Sequence, residues 1–252
     1  MPKITYISNA GVLIDFSGKK VLVDGLCNSE LPWYKNPPLE IKERIIAGTT
    51  PFDNILLLLF THHHSDHFDA ESTVEFLKQR KETHVIANNR VIEEILKIHP
   101  NLNKNRWIGF NPSPGGYNNL PLTGFNIKLI SMLHDGKEYK DVQNIAYLIE
   151  GDGKKILHVG DARPCVENYA CFPFVNFNID LLIAPFPYIS LPSARKIVEK
   201  YLKPHRIAII HFPYREWDRF GWITTAKKNY VKIKEDFVET VFLENIGDSI
   251  NI

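Results

Sequence analysis

The sequence has little cysteine, little net charge and no long apolar run, and each shortage excludes a class of protein. Its three cysteines are too few and too irregularly spaced for a disulfide framework or a CxxC zinc site. Thirty basic residues balance twenty-nine acidic ones, so the net charge of +1 gives no global attraction to nucleic acid or to an anionic membrane. No window reaches the roughly 18 apolar residues of a membrane span. Any charged substrate must therefore be recognised by local groups.

The rest of the composition is that of an ordinary globular protein. Hydrophobic residues make up 44% of the 252 residues and charged residues 23%, with no repeat and no low-complexity tract. The first 16 residues, MPKITYISNAGVLIDF, contain one early lysine and several polar interruptions, so they do not read as a signal peptide. We expect a cytoplasmic protein, which agrees with its sparing use of cysteine. A homo-oligomer is compatible with the sequence.

Hydrophobic patterning predicts an α/β protein. The opening segments ITYI, VLIDF and KKVLVD read as strands of a meander, and a short helix is expected over residues 39–47. The apolar run ILLLLF, residues 55–60, fits a strand buried on both faces. Asp69 is a suitable N-cap for a helix from Ala70 to about Arg80.

The second half of the chain has the same pattern of strand and helix segments. Strands are expected at FNIKLISML, NIAYLIE, KKILHV, DLLIA and RIAII, with a helix capped by Ser193 and ending near Pro204. The segment NPSPGGYNNLP, residues 111–121, reads as an internal loop. Strands that alternate with helices favour an α/β fold with two sheets and helices outside them.

One heptapeptide, THHHSDH at residues 61–67, concentrates four histidines and an aspartate. His62 and His64 directly follow the buried strand, and in an extended backbone residues i and i+2 point to the same side, so both rings can bind one ion. Asp66 and His67 lie where the chain must turn toward the next helix, so their side chains diverge from the first pair and could bind a second ion. The HxHxDH spacing therefore suits two metal ions.

Three further candidates each follow an apolar strand: His134 after KLISML, Asp161 after KKILHVG and His211 after RIAII. Strand ends are where a rigid scaffold presents functional residues. With the heptapeptide they make five histidines and two carboxylates, the nitrogen and oxygen ligands that zinc favours, with manganese or iron as alternatives. Taken singly, each is explained equally well as a polar strand-end residue, and their joint order is what favours ligation.

The segments THHHSDH, LHDG, HVGDA and IIHF, in this order, resemble the metallo-β-lactamase superfamily over nearly the whole chain. The opening ITYISNAGVLIDFSGKKVLVD is similar to the branch that contains the ascorbate-phosphate lactonase-like hydrolases. The resemblance implies a four-layer αββα sandwich of two mixed sheets with helices on the outer faces. It implies a single domain over residues 1–252, whose halves, about 1–125 and 126–252, share one site.

The resemblance also implies a ligand assignment. His62, His64 and His134 would bind one zinc ion, Asp66, His67 and His211 the other, and Asp161 would bridge both. Asp24, at the end of KKVLVD, resembles a carboxylate of the family that orients a metal-bound histidine and is not itself a ligand. The sequence departs from this branch at Asn9, where many members carry histidine in a GHA-like turn.

The activity so implied is hydrolysis of an ester, a lactone or a phosphate-bearing small metabolite by a metal-bridging hydroxide, with Asp66 as the catalytic residue that orients the hydroxide and relays a proton. One alternative is a phosphodiesterase or nuclease, against which the net charge and the lack of a tRNA-processing signature after HVGDA both argue. Another is a metal-binding protein without catalysis, but no ligand is missing.

For several other residues a structural role explains the sequence as well as a functional role does. His63 alternates away from its neighbours, and His158 lies inside a strand, so we expect both to be structural. His84, His99 and His205 are not accompanied by other potential metal ligands in the sequence. Aromatic residues in loops near the predicted ligands could line a pocket or simply pack: Trp33, Tyr34, Tyr188, Phe212, Tyr214 and Trp217. Arg215 is the best candidate for contact with an anionic substrate group, four residues past His211.

Overall fold

The structure, a computed structural model, describes all 252 residues. The chain divides into two compact units. The first unit consists of residues 1–111 and 245–251, and the second of residues 112–244 and 252. Each unit is built on one seven-stranded sheet.

The sheet of the first unit is mixed. Its strands in chain order are β1 (Lys3–Tyr6), β2 (Val12–Phe16), β3 (Lys19–Val23), β4 (Ile55–Leu59), β5 (His84–Ala87), β6 (Trp107–Gly109) and β14 (Ser249–Asn251). The order across the sheet is β14-β1-β2-β3-β4-β5-β6. Pairings from β14 to β3 are antiparallel and those from β3 to β6 are parallel.

Three helices accompany this sheet: α1 (Leu39–Ala47), α2 (Ala70–Gln79) and α3 (Asn89–Ile98). Each buries one side in a common apolar cluster with the sheet, to which α3 contributes Val91, Ile92 and Ile95. That spacing places three apolar side chains on one helical face. The helix begins where the Asn88 side chain accepts a 2.9 Å hydrogen bond from the Val91 amide.

The sheet of the second unit is also mixed and has the same plan. Its strands are β7 (Tyr117–Leu122), β8 (Phe125–Leu133), β9 (Gln143–Gly151), β10 (Lys154–His158), β11 (Leu181–Pro185), β12 (Arg206–Ile210) and β13 (Glu239–Phe242). They lie in the order β13-β12-β11-β10-β9-β8-β7. Pairings from β7 to β10 are antiparallel, and those from β10 to β13 are parallel.

The helices of this unit are α4 (Val166–Tyr169), α5 (Pro187–Ser190), α6 (Pro192–Ile197) and α7 (Trp222–Ile233). A π turn, Val198–Leu202, continues α6. Apolar residues of these segments and of β8 to β12 form one core cluster. None of the helices in either unit has both the length and the apolar character needed to cross a bilayer.

The direction of the strands decides where the candidate residues lie. Because β1 and β3 are both antiparallel to β2, and β4 is parallel to β3, the carboxyl ends of β1, β3 and β4 meet at one edge of the first sheet. Likewise β8, β10 and β12 run in one direction and end at one edge of the second sheet. In each unit the turns that follow these strands therefore lie together at one edge of the sheet.

Most predicted elements are confirmed, including the α1 bounds and the Asp69 N-cap, which accepts from the Ser72 amide. The interpretation of residues 111–121 as a loop was wrong in its second part, because residues 117–122 form β7 at the open edge of the sheet, where Pro121 is tolerated. Ser193 is not an N-cap. The helix begins at Pro192, whose fixed φ suits a first helical position.

The N-cap of α3 provides a test of this architecture. Asn88→Ala removes the acceptor of the Val91 amide, so we expect the free energy of unfolding to fall by about 1 kcal/mol. Urea denaturation followed by circular dichroism measures it, with the exposed Asn101→Ala as the matched control in the same unit. An unchanged urea midpoint for Asn88→Ala would contradict the capping contact.

Candidate metal centre

The heptapeptide THHHSDH lies directly past β4, at the carboxyl edge of the first sheet. The Nε2 atom of His62 and the Nδ1 atom of His64 are 3.0 Å apart. Two nitrogens bound to one tetrahedral zinc ion at 2.0–2.1 Å would be about 3.3 Å apart. The observed separation fits two ligands of one cation.

Asp24 organises the second part of the heptapeptide. Its carboxylate is fully buried and accepts three hydrogen bonds: from the Thr61 amide at 2.8 Å, from the Thr61 hydroxyl at 2.6 Å and from His67 Nδ1 at 2.8 Å. A carboxylate can only accept, so the His67 proton lies on Nδ1. The Nε2 atom then carries the lone pair and lies 3.5 Å from Asp66 Oδ2. This is the arrangement by which a carboxylate orients a metal-binding histidine.

Asp66 has a second partner in the same unit. The Nδ2 atom of Asn9, in the turn after β1, donates a 2.8 Å hydrogen bond to Asp66 Oδ2. Both side chains are buried. Asn9 is therefore a direct neighbour of a predicted ligand.

The second unit brings its three predicted ligands together. Asp161 Oδ2 lies 3.3 Å from His211 Nε2 and 3.8 Å from His134 Nε2. Nδ1 of His134 is 2.5 Å from the Asp135 carbonyl oxygen, which can only accept, so Nε2 is the atom that faces Asp161 as a lone-pair donor. One carboxylate oxygen thus lies between two imidazole nitrogens, a geometry that suits a carboxylate shared by two ions.

Buried amides hold these turns in place. Asn144 donates to the Val159 carbonyl and accepts from the Asp161 amide, which fixes the turn after β10. Asn168 bonds the amide and the carbonyl of Leu133 and the carbonyl of Arg163. These residues and Thr61 were not predicted. Only Thr61 had a signal in the sequence, its place at the start of the heptapeptide.

Two candidate residues have left-handed backbones. Asp24 has φ 46° and His211 has φ 64°, each directly after a strand. This region is uncommon for residues other than glycine, although Asp and His are among the side chains that adopt it. Such conformations are concentrated at functional sites.

His158 and His63 are not among the grouped side chains that could hold a metal ion. His158 is fully buried in β10, and its Nδ1 accepts a 3.1 Å bond from the Gly160 amide. His63 is half-buried and its ring packs edge-on against His64. No cysteine is among the candidate ligands, and burial raises the pKa of the Cys27 thiol to about 12, so it stays protonated at neutral pH.

The predicted pocket residues divide into three groups by exposure, of which Tyr34 and Tyr214 form the half-buried one. Tyr188 and Phe212 are buried, and the Tyr188 hydroxyl donates to the Ala162 carbonyl at 2.8 Å, so both have packing roles. Trp33 and Trp217 are exposed. Arg215 lies in a short 3-10 helix with its side chain 76% exposed and its guanidinium 3.3 Å from Glu244.

Each of the seven predicted ligands offers one side-chain atom that could bind a metal ion. A family model described as "Beta-lactamase superfamily domain" matches residues 3–199. The chain therefore belongs to the metallo-β-lactamase superfamily. A search of curated proteins found no match.

Solved structures similar to the whole chain agree with this assignment. Igni18, a metallo hydrolase from the archaeon Ignicoccus hospitalis, is 17% identical with a TM-score of 0.66, covering 99% of this chain and 97% of that one. The isothiocyanate hydrolase from Delia radicum gut bacteria is 14% identical with a TM-score of 0.67, covering 99% of each chain. CmlA, a diiron β-hydroxylase from Streptomyces venezuelae, is 13% identical with a TM-score of 0.67, covering 100% of this chain and 54% of that one. The likeness confirms the metallo-β-lactamase α/β sandwich fold.

The contacts of Asp24 generate a test of ligand orientation. In Asp24→Asn an oxygen can still accept from the Thr61 amide, but the NH2 group then faces the Thr61 hydroxyl and His67 Nδ1, so a donor meets a donor. The His67 proton is forced to Nε2, and we expect metal affinity to fall about 10–100-fold. Competition with a chromophoric chelator measures it, with Asp15→Asn, near the end of β2, as control. Equal affinities for the two variants would rule out this role of Asp24.

Proposed function

We propose that the protein is a metal-dependent hydrolase with a dinuclear metal centre. One ion would be held by His62, His64 and His134, and the other by Asp66, His67, Asp161 and His211, with Asp161 bridging. We further propose that both units belong to one domain, since the family match at residues 3–199 extends across their boundary.

The observation that carries this proposal is the position of Asp161 within its own unit. Its Oδ2 atom is near the Nε2 atoms of both His134 and His211, and the resemblance assigns these two histidines to different ions. One carboxylate oxygen that lies beside the imidazole nitrogens of two different predicted metal-binding groups is in the position that a ligand shared by two cations requires.

Cations held by these residues would lower the pKa of a coordinated water toward about 7 and would polarise a carbonyl or phosphoryl oxygen. The residues of the chain then orient the reactants. Hydrolysis forms a bond from the water oxygen to the electrophilic centre and breaks the bond to the leaving group. We propose that Asp66 takes the proton of the water and passes it to the leaving group, while Asn9 and Asp24 keep Asp66 and His67 in place.

We propose an ester, a lactone or a phosphate-bearing small metabolite as the substrate. The opening meander, similar to that of the lactonase-like branch, puts lactones first in a substrate panel. The similar structures are described as a metallo hydrolase and an isothiocyanate hydrolase, which supports hydrolysis at an electrophilic carbon. The net charge of +1 favours small substrates over nucleic acid.

Zinc is the metal that we propose, with manganese or iron as alternatives. Nitrogen and carboxylate ligands suit all three ions. The similar structure of CmlA is described as that of a diiron enzyme, so the metal must be identified directly.

Elemental mass spectrometry of protein purified without chelators tests the centre. We expect about two transition-metal ions per chain. His64→Ala should leave about one ion, whereas Asp161→Ala should lose both, since a bridging ligand serves both ions. The exposed His205→Ala is the matched control and should retain both. Less than one ion per chain in the wild-type protein, even after reconstitution with metal, would contradict the proposal.

A parallel panel of lactones, esters, bis-nitrophenyl phosphate and RNA separates the activities. Turnover of a lactone or ester that disappears in Asp161→Ala supports the hydrolase. If the phosphodiester and RNA are the only substrates turned over, the protein is a phosphodiesterase. Full metal occupancy with no turnover across the panel would indicate a metal-binding protein without catalysis.

Arg215 is our candidate for contact with an anionic substrate group. Its guanidinium is exposed, and its partner Glu244 also pairs with Lys227, which leaves the arginine available to a ligand. In Arg215→Ala we expect the KM of anionic substrates to rise about tenfold while that of neutral analogues is unchanged. Arg219→Ala, an exposed arginine on the same segment, is the control. An equal change for both substrate types would exclude this role.

A further inference from the structure

We infer that Asn9 is a positioning residue whose side-chain amide holds the Asp66 carboxylate in the orientation that the second ion requires. This inference rests on the proposed dinuclear centre. Asn9 Nδ2 donates to Asp66 Oδ2 at 2.8 Å across 57 residues of sequence. Asn9 is fully buried and Asp66 is 6% exposed, so water does not compete for this bond.

The same oxygen of Asp66 faces both neighbours. Oδ2 accepts from Asn9 and lies 3.5 Å from His67 Nε2, the lone-pair atom of that ring. The bond from Asn9 restrains the rotation of the Asp66 carboxylate, so Oδ2 stays on the side of His67 Nε2 before an ion arrives.

The backbone of Asn9 is held without its side chain. Its amide donates to the Lys35 carbonyl at 2.7 Å, and its carbonyl accepts from the Tyr6 hydroxyl at 3.0 Å. The turn is closed by bonds between Gly11 and residues Ile7 and Ser8. A substitution at Asn9 therefore removes the contact with Asp66 and leaves the turn its own hydrogen bonds.

The other end of the amide indicates that stability is not the reason for asparagine here. Asn9 Oδ1 is buried and has no hydrogen-bond partner. A buried acceptor without a partner opposes folding. An arrangement that is unfavourable for folding but directs a predicted ligand is expected at a functional site.

The amide also differs in kind from the histidine that the resembling branch carries. Asparagine does not titrate, so it donates to Asp66 at every pH, whereas a histidine donor can gain a second proton. Either side chain can supply the N–H that Asp66 needs. Asn9→His is therefore the conservative variant that should restore the function of the amide.

The experiment compares Asn9→Leu, which lacks a donor, Asn9→Asp, which has the same shape but places a carboxylate against Asp66, and Asn9→His. Metal-free protein is titrated with Co2+, whose absorption bands report the coordination of each ion. We expect about 10–100-fold weaker binding of one ion in the leucine and aspartate variants, with the ion of His62 and His64 unchanged. Asn9→His should bind both ions within a few-fold of the wild type.

Melting of the metal-free proteins separates this role from a purely structural one. We expect both Asn9→Leu and the cap variant Asn88→Ala to melt below the wild-type temperature, because each loses a buried hydrogen bond, whereas only Asn9→Leu weakens the binding of one ion. Two unaffected cobalt sites in Asn9→Leu would overturn the inference, as would a lowered melting point with equal loss of both ions. If the wild-type protein itself binds less than one ion, the dinuclear centre fails and the inference falls with it. When the wild-type protein binds two ions, a change in the variants reports on Asn9 alone.

Discussion

The buried carboxylate of Asp24 is the group on which the first half of the site depends. It joins the end of β3 to the residue that opens the heptapeptide after β4, and it fixes which nitrogen of His67 carries the proton. Burying a charge opposes folding unless donors surround it, and three donors do so here. The fold must therefore keep β3 and β4 in register before the ligands take their orientation.

The strand directions impose a matching constraint on both units. In each sheet the strands that precede the predicted ligands run in the same direction, so residues far apart in the sequence reach a common edge. Binding groups at the carboxyl ends of parallel strands are a general property of such sheets. Here the neighbouring amides of Asn144 and Asn168 stiffen the turns of the second unit.

The ligand candidates could be predicted because their signals are local. His62, His64 and their neighbours follow a continuous apolar run, and His134 and His211 directly follow strands whose bounds the pattern predicted correctly. The supporting contacts could not be predicted. The bond from Asn9 to Asp66 joins positions 57 residues apart, and no periodicity indicates which buried polar groups will meet. The exposed edge strand β7 was missed because its residues, rich in Asn and Pro, have the composition of a turn.

The left-handed backbones of Asp24 and His211 have different consequences for stability. Glycine adopts this conformation without steric penalty, so a search for more stable variants would favour glycine at position 211. At Asp24 the same change would leave three buried donors without an acceptor, so stability itself retains the carboxylate there. A library selected only for thermal resistance should therefore keep Asp24 and drift away from His211, a predicted ligand, which makes position 211 the one to hold constant in any engineering of the scaffold.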